Sequence, residues 1–153
     1  PLKLRFDVAM TGRLGMEMQP KNMTEEERVF ARKAIETYKQ IRPVIQQGDL
    51  YRLISPYDDL GVASLMYITP EKERAVFFAF KTMHYQGQII PRFRMAGLET
   101  NKQYRLTELN VEGKDPLAVE GKVFSGALLM NTGIELPLPR EYASRVLELV
   151  EVR

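Results

Sequence analysis

The sequence predicts a mainly β protein, with a C-terminal antiparallel β-sandwich preceded by one strand–helix (βα) unit. Three observations predict this class. Residues 2–8 alternate apolar with charged side chains, which is the two-residue period of a half-buried strand. Residues 25–47 repeat apolar side chains every three or four positions, as an amphipathic helix does. After residue 48, about seven short apolar runs are separated by turn residues, at the spacing of a sandwich.

The first strand is predicted to run from Leu2 to about Met10, with its apolar side chains on one buried face. The turn after it contains Gly12 and Gly15. We expect these glycines to serve the backbone geometry of the turn rather than to contact a ligand.

One strong helix is predicted after this turn. Thr24 and Glu27 have the spacing of a capping box, and Gly48 is expected to end the helix with a positive φ angle. The apolar stripe of the helix consists of Phe30, Ala34, Tyr38, Ile41 and Ile45. A lone βα unit lacks the neighbours that cover such a stripe, so we expect the stripe to be partly uncovered.

The strands of the sandwich are predicted at residues 50–54, 62–68, 74–84, 89–95, 104–109, 123–130 and 144–152. Pro91 indicates that the strand at 89–95 lies at an edge. No second helix is predicted.

Composition excludes several classes of site. The 153 residues contain no cysteine and a single histidine, His84, which rules out disulfides, thiolate chemistry and histidine-rich metal sites. The net charge of only +2 argues against a nucleic-acid partner. The apolar runs are too short for a membrane helix. We therefore expect no cofactor, no metal, no nucleic acid and no membrane attachment.

Few side chains are candidates for chemistry, and each has a structural interpretation. Glu17 is predicted to be structural or solvent-facing. Asp58 and Asp59 indicate a turn, because the residues around them supply too few oxygen ligands for calcium. His84 is expected at an exposed strand end, since no serine–aspartate constellation accompanies it. A buried core is assigned to the three phenylalanines Phe77, Phe78 and Phe80. An edge strand with solvated arginines is assigned to Arg92, Phe93 and Arg94.

Several segments, taken in order, resemble one known family. Residues 8–18 are similar to the segment that closes the catalytic barrel of glycoside hydrolase family 36, the bacterial α-galactosidases. Residues 38–42 and 48–53 resemble the last barrel helix of that family and the chain that follows it. Residues 124–134 resemble the Ser-Gly…Leu-Met-Asn-x-Gly stretch of its C-terminal sandwich. Together these segments extend over nearly the whole chain.

The resemblance implies a piece of a longer enzyme, in keeping with a sequence that begins at Pro1 without methionine. Residues 1–48 would be the last strand and helix of a (β/α)8 catalytic barrel, and residues 49–153 a C-terminal β-sandwich domain. The parent would be a retaining α-galactosidase that hydrolyses terminal α-galactosyl residues of galacto-oligosaccharides. The sandwich would support the barrel or subunit assembly.

The family's two catalytic carboxylates lie on earlier barrel strands, and neither of their motifs, Lys-Trp-Asp or Ser-Asp-x-x-Asp, occurs here. The resemblance therefore assigns no catalytic residue to this chain, leaves substrate-binding residues unknown, and implies that the chain alone is inactive. Expected partners are α-galactosides, bound through the upstream barrel, and further copies of the full-length protein. The family makes the cytoplasm the default location, unless a signal peptide lies upstream.

The alternative is a carbohydrate-binding β-sandwich module without catalysis. Such modules stack aromatic side chains on the sugar ring, and this chain has no tryptophan. The platform would have to come from Tyr51, Tyr57, Tyr67, Tyr85 and Tyr104. An interaction module unrelated to sugars remains open only if the resemblance is accidental.

Overall fold

The computed structural model describes residues 1–17, 19–113 and 116–152. Met18, the last residue of the first resembling segment, lies outside these ranges. The helices are α1 (Leu2–Met10), α2 (Glu25–Gln47) and α3 (Gly126–Asn131), with a 3-10 turn at Pro20–Asn22. The strands are β1 (Asp49–Ile54), β2 (Val62–Ile68), β3 (Arg74–Lys81), β4 (Gln103–Leu109), β5 (Val123–Ser125) and β6 (Ser144–Val152).

The strands confirm the mainly β, antiparallel class. They pair in the order β1-β2-β3-β6-β4-β5, and each neighbouring pair is antiparallel. In the described part of the chain these strands form one sheet, so the layer opposite α1 and α2 is not a second sheet. Irregular segments together with α3 cover that face instead and bury Phe93, Leu98, Leu129 and Leu136 against it; we call them the irregular layer.

The run at residues 89–95 contributes to this irregular layer, and its prediction as a strand is wrong. Only Phe93 pairs, through a single antiparallel bridge to Ile134. Pro91 has no N–H to donate to a ladder, and Gly97 has a positive φ angle of 74°, so regular pairing does not extend on either side.

The prediction of a strand at residues 2–10 is also wrong, because this segment is helix α1. Apolar residues at every second position also contain pairs four apart, and a helix places such pairs on a common face. Phe6 and Met10 are thereby buried together in the core, while Val8 lies on another face and is 50% exposed. The unit before the sheet is therefore helical from its start.

The run at 123–130 divides into two elements. Val123–Ser125 forms β5 as predicted, but the following residues form α3. The Ser125 Oγ accepts a hydrogen bond from the backbone N–H of Leu128, which caps the new helix. Ser125 lies inside the apolar run that predicts a strand, so this start signal for a helix is hidden in the sequence.

Helix α2 has the predicted start, with both hydrogen bonds of the Thr24–Glu27 capping box. The expectation that its stripe is partly uncovered is wrong for four of the five residues. Ala34, Tyr38, Ile41 and Ile45 are buried in one cluster with Val76 and Phe78 of β3. β3 is buried on both faces, so one of them is available to cover the helix.

The three phenylalanines of β3 lie in the core, as predicted. Phe77 faces the irregular layer and packs edge-on against Phe93, with ring centroids 5.9 Å apart. Phe78 and Phe80 face the helices and stack on each other at 6.3 Å. Because successive side chains of a strand point to opposite faces of the sheet, β3 contributes buried phenylalanines to both layers.

Gly48 ends α2 as predicted, but the expected positive φ angle is wrong, since its φ is −81°. The reason for glycine is close packing. A Cβ here would lie 2.5 Å from the carbonyl oxygen of Val44 and 2.7 Å from that of Ile68. The absence of a side chain lets the helix end press against β2.

We expect Gly48→Val to lower the free energy of unfolding by about 1–3 kcal/mol, because two backbone carbonyls block the new side chain. The melting temperature measures the effect. Gly15→Val is the comparison, since a Cβ at Gly15 would meet no atom of the described residues within 4 Å. Equal melting temperatures for the two variants would contradict the packing explanation.

Candidate functional site

The polar side chains singled out from the sequence lie in separate exposed loops. Glu17 is exposed after α1, Asp58 and Asp59 are exposed after β1, and His84 is exposed after β3. Among the described residues, no group of three His, Asp or Glu side chains could hold a metal ion. In the same ranges, no helix has the length and apolar character to cross a bilayer.

Two of these loops meet at one end of the sheet. Asp58 closes the turn after β1, with its Oδ2 accepting a hydrogen bond from the Ser55 N–H, which confirms the predicted turn. The Tyr85 hydroxyl, next to His84, donates to the Asp59 carbonyl at 3.1 Å. The Tyr85 contact joins a side chain of one loop to a backbone carbonyl of the other, so it organises the two loops.

Gly12 and Gly15 do not fit their expected role. Neither has a positive φ angle, and a Cβ at either position would meet no described atom within 4 Å. The local backbone of the described chain therefore does not require glycine at these positions.

The five candidate tyrosines do not share one surface. Tyr104 is fully buried and Tyr51 packs against Gly97. Tyr67 is half-buried, and its hydroxyl donates to the Thr11 carbonyl. Only Tyr57 (94% exposed) and Tyr85 (43%) present much of their rings to solvent.

The Arg92–Arg94 stretch is not a stacking platform. Phe93 is fully buried, so its ring cannot receive a base or a sugar. Arg92 binds the Glu135 carboxylate and the carbonyl oxygens of Thr132 and Gly133. These arginine contacts join two loops of the irregular layer.

A buried polar cluster holds α1 on the sheet. The carboxylate of Asp7, which is fully buried, accepts hydrogen bonds from Lys3 Nζ (2.5 Å), Asn110 Nδ2 (2.5 Å) and Ser144 Oγ (2.6 Å). Asn110 follows β4 and Ser144 begins β6, so this Asp7 network joins three parts of the chain. The spacing of Lys3 and Asp7, four residues apart, is its only sequence signal.

A groove of about 760 Å³ lies between α1 and the neighbouring half of the sheet. Leu4, Val8 and Thr11 line it from one face of α1. The surface opposite α1 includes Arg52 of β1, Ala63 and Leu65 of β2, and Phe80 of β3, with Tyr57 and Tyr142 also lining the groove. We call this feature the α1 groove. Its lining is largely apolar although it is open to solvent, which is typical of a surface that binds another protein segment.

The segment 13–17, between α1 and the 3-10 turn, is the second open feature. In the described ranges, no backbone hydrogen bond joins these five residues to the rest of the chain. Met16 and Glu17 are exposed, and a cavity of about 400 Å³ separates the segment from α1. Unpaired backbone of this kind is available to pair with another strand.

Comparisons with known proteins agree on one family. The family model described as "Glycosyl hydrolase family 36 C-terminal domain" matches residues 62–149, more than half of the chain. A probable α-galactosidase C of Aspergillus terreus is 34% identical over 148 residues, which are 95% of this chain and 18% of that protein. The chain thus spans about a fifth of the length of this relative.

Solved structures give the same result. The GH36 α-galactosidase AgaB of Geobacillus stearothermophilus superposes with a TM-score of 0.86 at 27% identity, over 99% of this chain and 19% of that one. A variant of AgaA from the same organism, in complex with raffinose, has a TM-score of 0.83 at 25% identity, over 96% of this chain and 19% of that one.

Proposed function

Because this chain belongs to glycosyl hydrolase family 36, with the C-terminal domain of that family matched at residues 62–149, we propose that it is the non-catalytic C-terminal part of a retaining α-galactosidase. The parent enzyme hydrolyses terminal α-galactosyl residues of galacto-oligosaccharides. The α-galactosidase relative and the raffinose complex of the AgaA variant support this substrate class.

The α1 groove is the observation that carries the proposed supporting role. It is apolar, open and lined by α1, while the opposite face of the sheet is already covered by the irregular layer. The chain spans 18% of its Aspergillus terreus relative, so most of a parent of that length lies outside it. We assign the groove to the preceding catalytic portion, which would bury Val8 and Leu4 and so hold the sheet against the barrel.

We further propose that residues 1–48 are the end of the catalytic barrel and residues 49–153 the C-terminal domain. Helix α1, the unpaired segment 13–17 and helix α2 follow one another in the helix–strand–helix order of a (β/α)8 barrel. The strand of this unit is then residues 13–17, since residues 2–10 are helical. Its pairing partners are barrel strands from the rest of the parent.

The catalytic carboxylates belong to that remaining part. A retaining glycosidase uses two carboxyl groups about 5–5.5 Å apart, one as nucleophile and one as acid/base. In this chain Asp7 is buried and already engaged by three donors, while Glu17 and Asp58 lie on different loops. We therefore assign no catalytic residue to residues 1–153.

The test compares the complete parent with this chain in hydrolysis of p-nitrophenyl α-galactoside. We expect turnover by the parent, and no turnover above a mock purification by the 153-residue chain at the same molar concentration, because the chain lacks the carboxyl pair. An inactive parent would overturn the proposed activity. An active chain would overturn the non-catalytic assignment.

The alternative of an autonomous sugar-binding module has less support. Tyr104 is buried, and Tyr51 and Tyr67 are partly buried, so only Tyr57 and Tyr85 of its five candidate platforms present much of their rings to solvent. A cytoplasmic location and homo-oligomeric assembly of the parent stay predictions, which fractionation of the source cells and light scattering of the parent would check.

A further inference from the structure

Just after α1, two consecutive backbone carbonyl groups accept hydrogen bonds from tyrosine side chains. The Tyr67 hydroxyl donates to the carbonyl oxygen of Thr11, and the Tyr38 hydroxyl donates to that of Gly12, each at 2.7 Å. Tyr67 lies on β2 and Tyr38 on α2. Two consecutive carbonyls are thus fixed by two elements that are remote from them in sequence.

These two carbonyls lie just beyond the hydrogen bonds of the helix itself. The N–H and the Oγ1 of Thr11 both donate to the Val8 carbonyl, and the Gly12 N–H donates to that of Ala9. Those bonds complete the last turn of α1 but leave the carbonyls of Thr11 and Gly12 to find other donors. The tyrosine hydroxyls supply them, and a half-buried carbonyl without a partner would be unfavourable.

Both phenols are suited to donate. Tyr38 is only 7% exposed, packed within the stripe of α2. Burial raises the pKa of Tyr67, an effect partly offset by the nearby Arg52 guanidinium. The Tyr67 phenol therefore keeps its proton at neutral pH, and the proton is directed at Thr11.

The tyrosine pair is followed at once by the unpaired segment. Among the described residues, the next backbone hydrogen bonds after Gly12 begin at Gln19, which accepts from Asn22. The direction in which residues 13–17 leave the domain is therefore set by the backbone of Thr11 and Gly12, which Tyr67 and Tyr38 hold by hydrogen bonds.

We propose that Tyr67 and Tyr38 are positioning residues, which act through Thr11 and Gly12 to align residues 13–17 with the neighbouring strands of the catalytic barrel. This inference rests on the proposed function, in which 13–17 is a barrel strand. Active sites of such barrels form at the carboxyl ends of the strands, so the alignment reaches the substrate through Met16 and Glu17. Small displacements of substrate-facing groups lower rates steeply, and we expect about a tenfold loss in kcat/KM without the Tyr67 hydroxyl.

The experiment uses the complete parent enzyme carrying Tyr67→Phe or Tyr38→Phe, with Tyr104→Phe as the matched control. The Tyr104 hydroxyl also donates to a backbone carbonyl, that of Lys72 at 2.9 Å, but Tyr104 lies on the opposite face of the sheet. Tyr67→Phe and Tyr38→Phe each lose one part-buried hydrogen bond, and Tyr104→Phe loses two, because its hydroxyl also accepts from the Glu99 N–H at 3.1 Å. A loss of stability in the first two variants is therefore matched in the control, and stability alone does not separate them. Two measurements separate the variants: kinetics on p-nitrophenyl α-galactoside, and hydrogen exchange of the amides of residues 12–17.

We expect Tyr67→Phe and Tyr38→Phe to lower kcat/KM about tenfold and to speed exchange at residues 12–17, and Tyr104→Phe to change neither. Wild-type kinetics and exchange in Tyr67→Phe, or an equal kinetic loss in Tyr104→Phe, would overturn the inference. A wild-type parent without α-galactosidase activity would overturn the proposed function instead. Hydrogen exchange would then still decide whether the tyrosines hold the segment.

Discussion

Replacing Asp7 by alanine is expected to lower the free energy of unfolding by about 3–5 kcal/mol, the range for breaking a buried ion pair. The change leaves the Lys3 ammonium buried without its partner and takes the shared acceptor from Asn110 and Ser144. Because these donors lie on α1, after β4 and on β6, the loss falls on the junction between the helices and the sheet. Urea denaturation followed by circular dichroism measures it.

Two controls separate the buried charge from its position. Asp58→Ala removes an exposed aspartate that accepts one backbone hydrogen bond, and should cost less than about 1 kcal/mol. The double variant Lys3→Met, Asp7→Asn removes both charges and keeps an acceptor for Ser144, so it should regain much of the lost stability. A stability of Asp7→Ala close to that of Asp58→Ala would contradict the role of the Asp7 network.

Replacing Gly126 by alanine is expected to cost about 3 kcal/mol, at the upper end of overpacking effects. A Cβ at this position would overlap the carbonyl oxygen of Glu99 and lie 2.8 Å from its carbonyl carbon. The N–H groups of Gly126 and Ala127 donate to the carbonyls of Lys102 and Thr100, so the start of α3 cannot move away without losing both bonds. Thermal denaturation measures the loss as a lower melting temperature.

Gly12→Ala is the matched control, because its new methyl group would meet no described atom within 4 Å and its φ angle is not positive. We expect a change within about 0.5 kcal/mol for this chain. A melting temperature for Gly126→Ala as high as that of Gly12→Ala would contradict this prediction, because it would show that the turn at residues 99–102 can shift at little cost in free energy.

The segment 124–134 shows how a resemblance in sequence acquires a physical reason. Ser125 caps α3, Gly126 permits the contact with Glu99, and Gly133 has a φ angle of 71° beside the Phe93 backbone. The Ser-Gly and Asn-x-Gly features of this segment therefore serve the fold. This agrees with the absence of a catalytic assignment within it.

Local signals predicted α2 well because they act within the helix itself. The capping box joins residues three apart, and the apolar stripe follows the helical period, so both can be read from neighbouring positions. The runs at 62–68 and 144–152 agree with β2 and β6, since their turns and their apolar side chains are also local. What covers the stripe of α2 depends on β3, which lies nearly thirty residues further on and could not be inferred from the helix.

Residues 2–10 illustrate the opposite case. Their apolar side chains at every second position satisfy the period of a strand and also supply pairs four apart, so the sequence pattern allows both structures. The helix prevails because it buries Phe6 and Met10 on the sheet and brings Asp7 to Asn110 and Ser144, which lie more than a hundred residues away.

The sequence by itself determined the mainly β class, the position and start of α2, the family resemblance and the lack of catalytic motifs. These properties depend on composition, on short-range spacing and on ordered motifs. Tertiary structure alone decided that the strands form one sheet, that residues 2–10 are helical, and that Tyr38 and Tyr67 hold the exit from α1. Each of these depends on burial and hydrogen bonds between residues distant in sequence, whose free energies no local pattern contains.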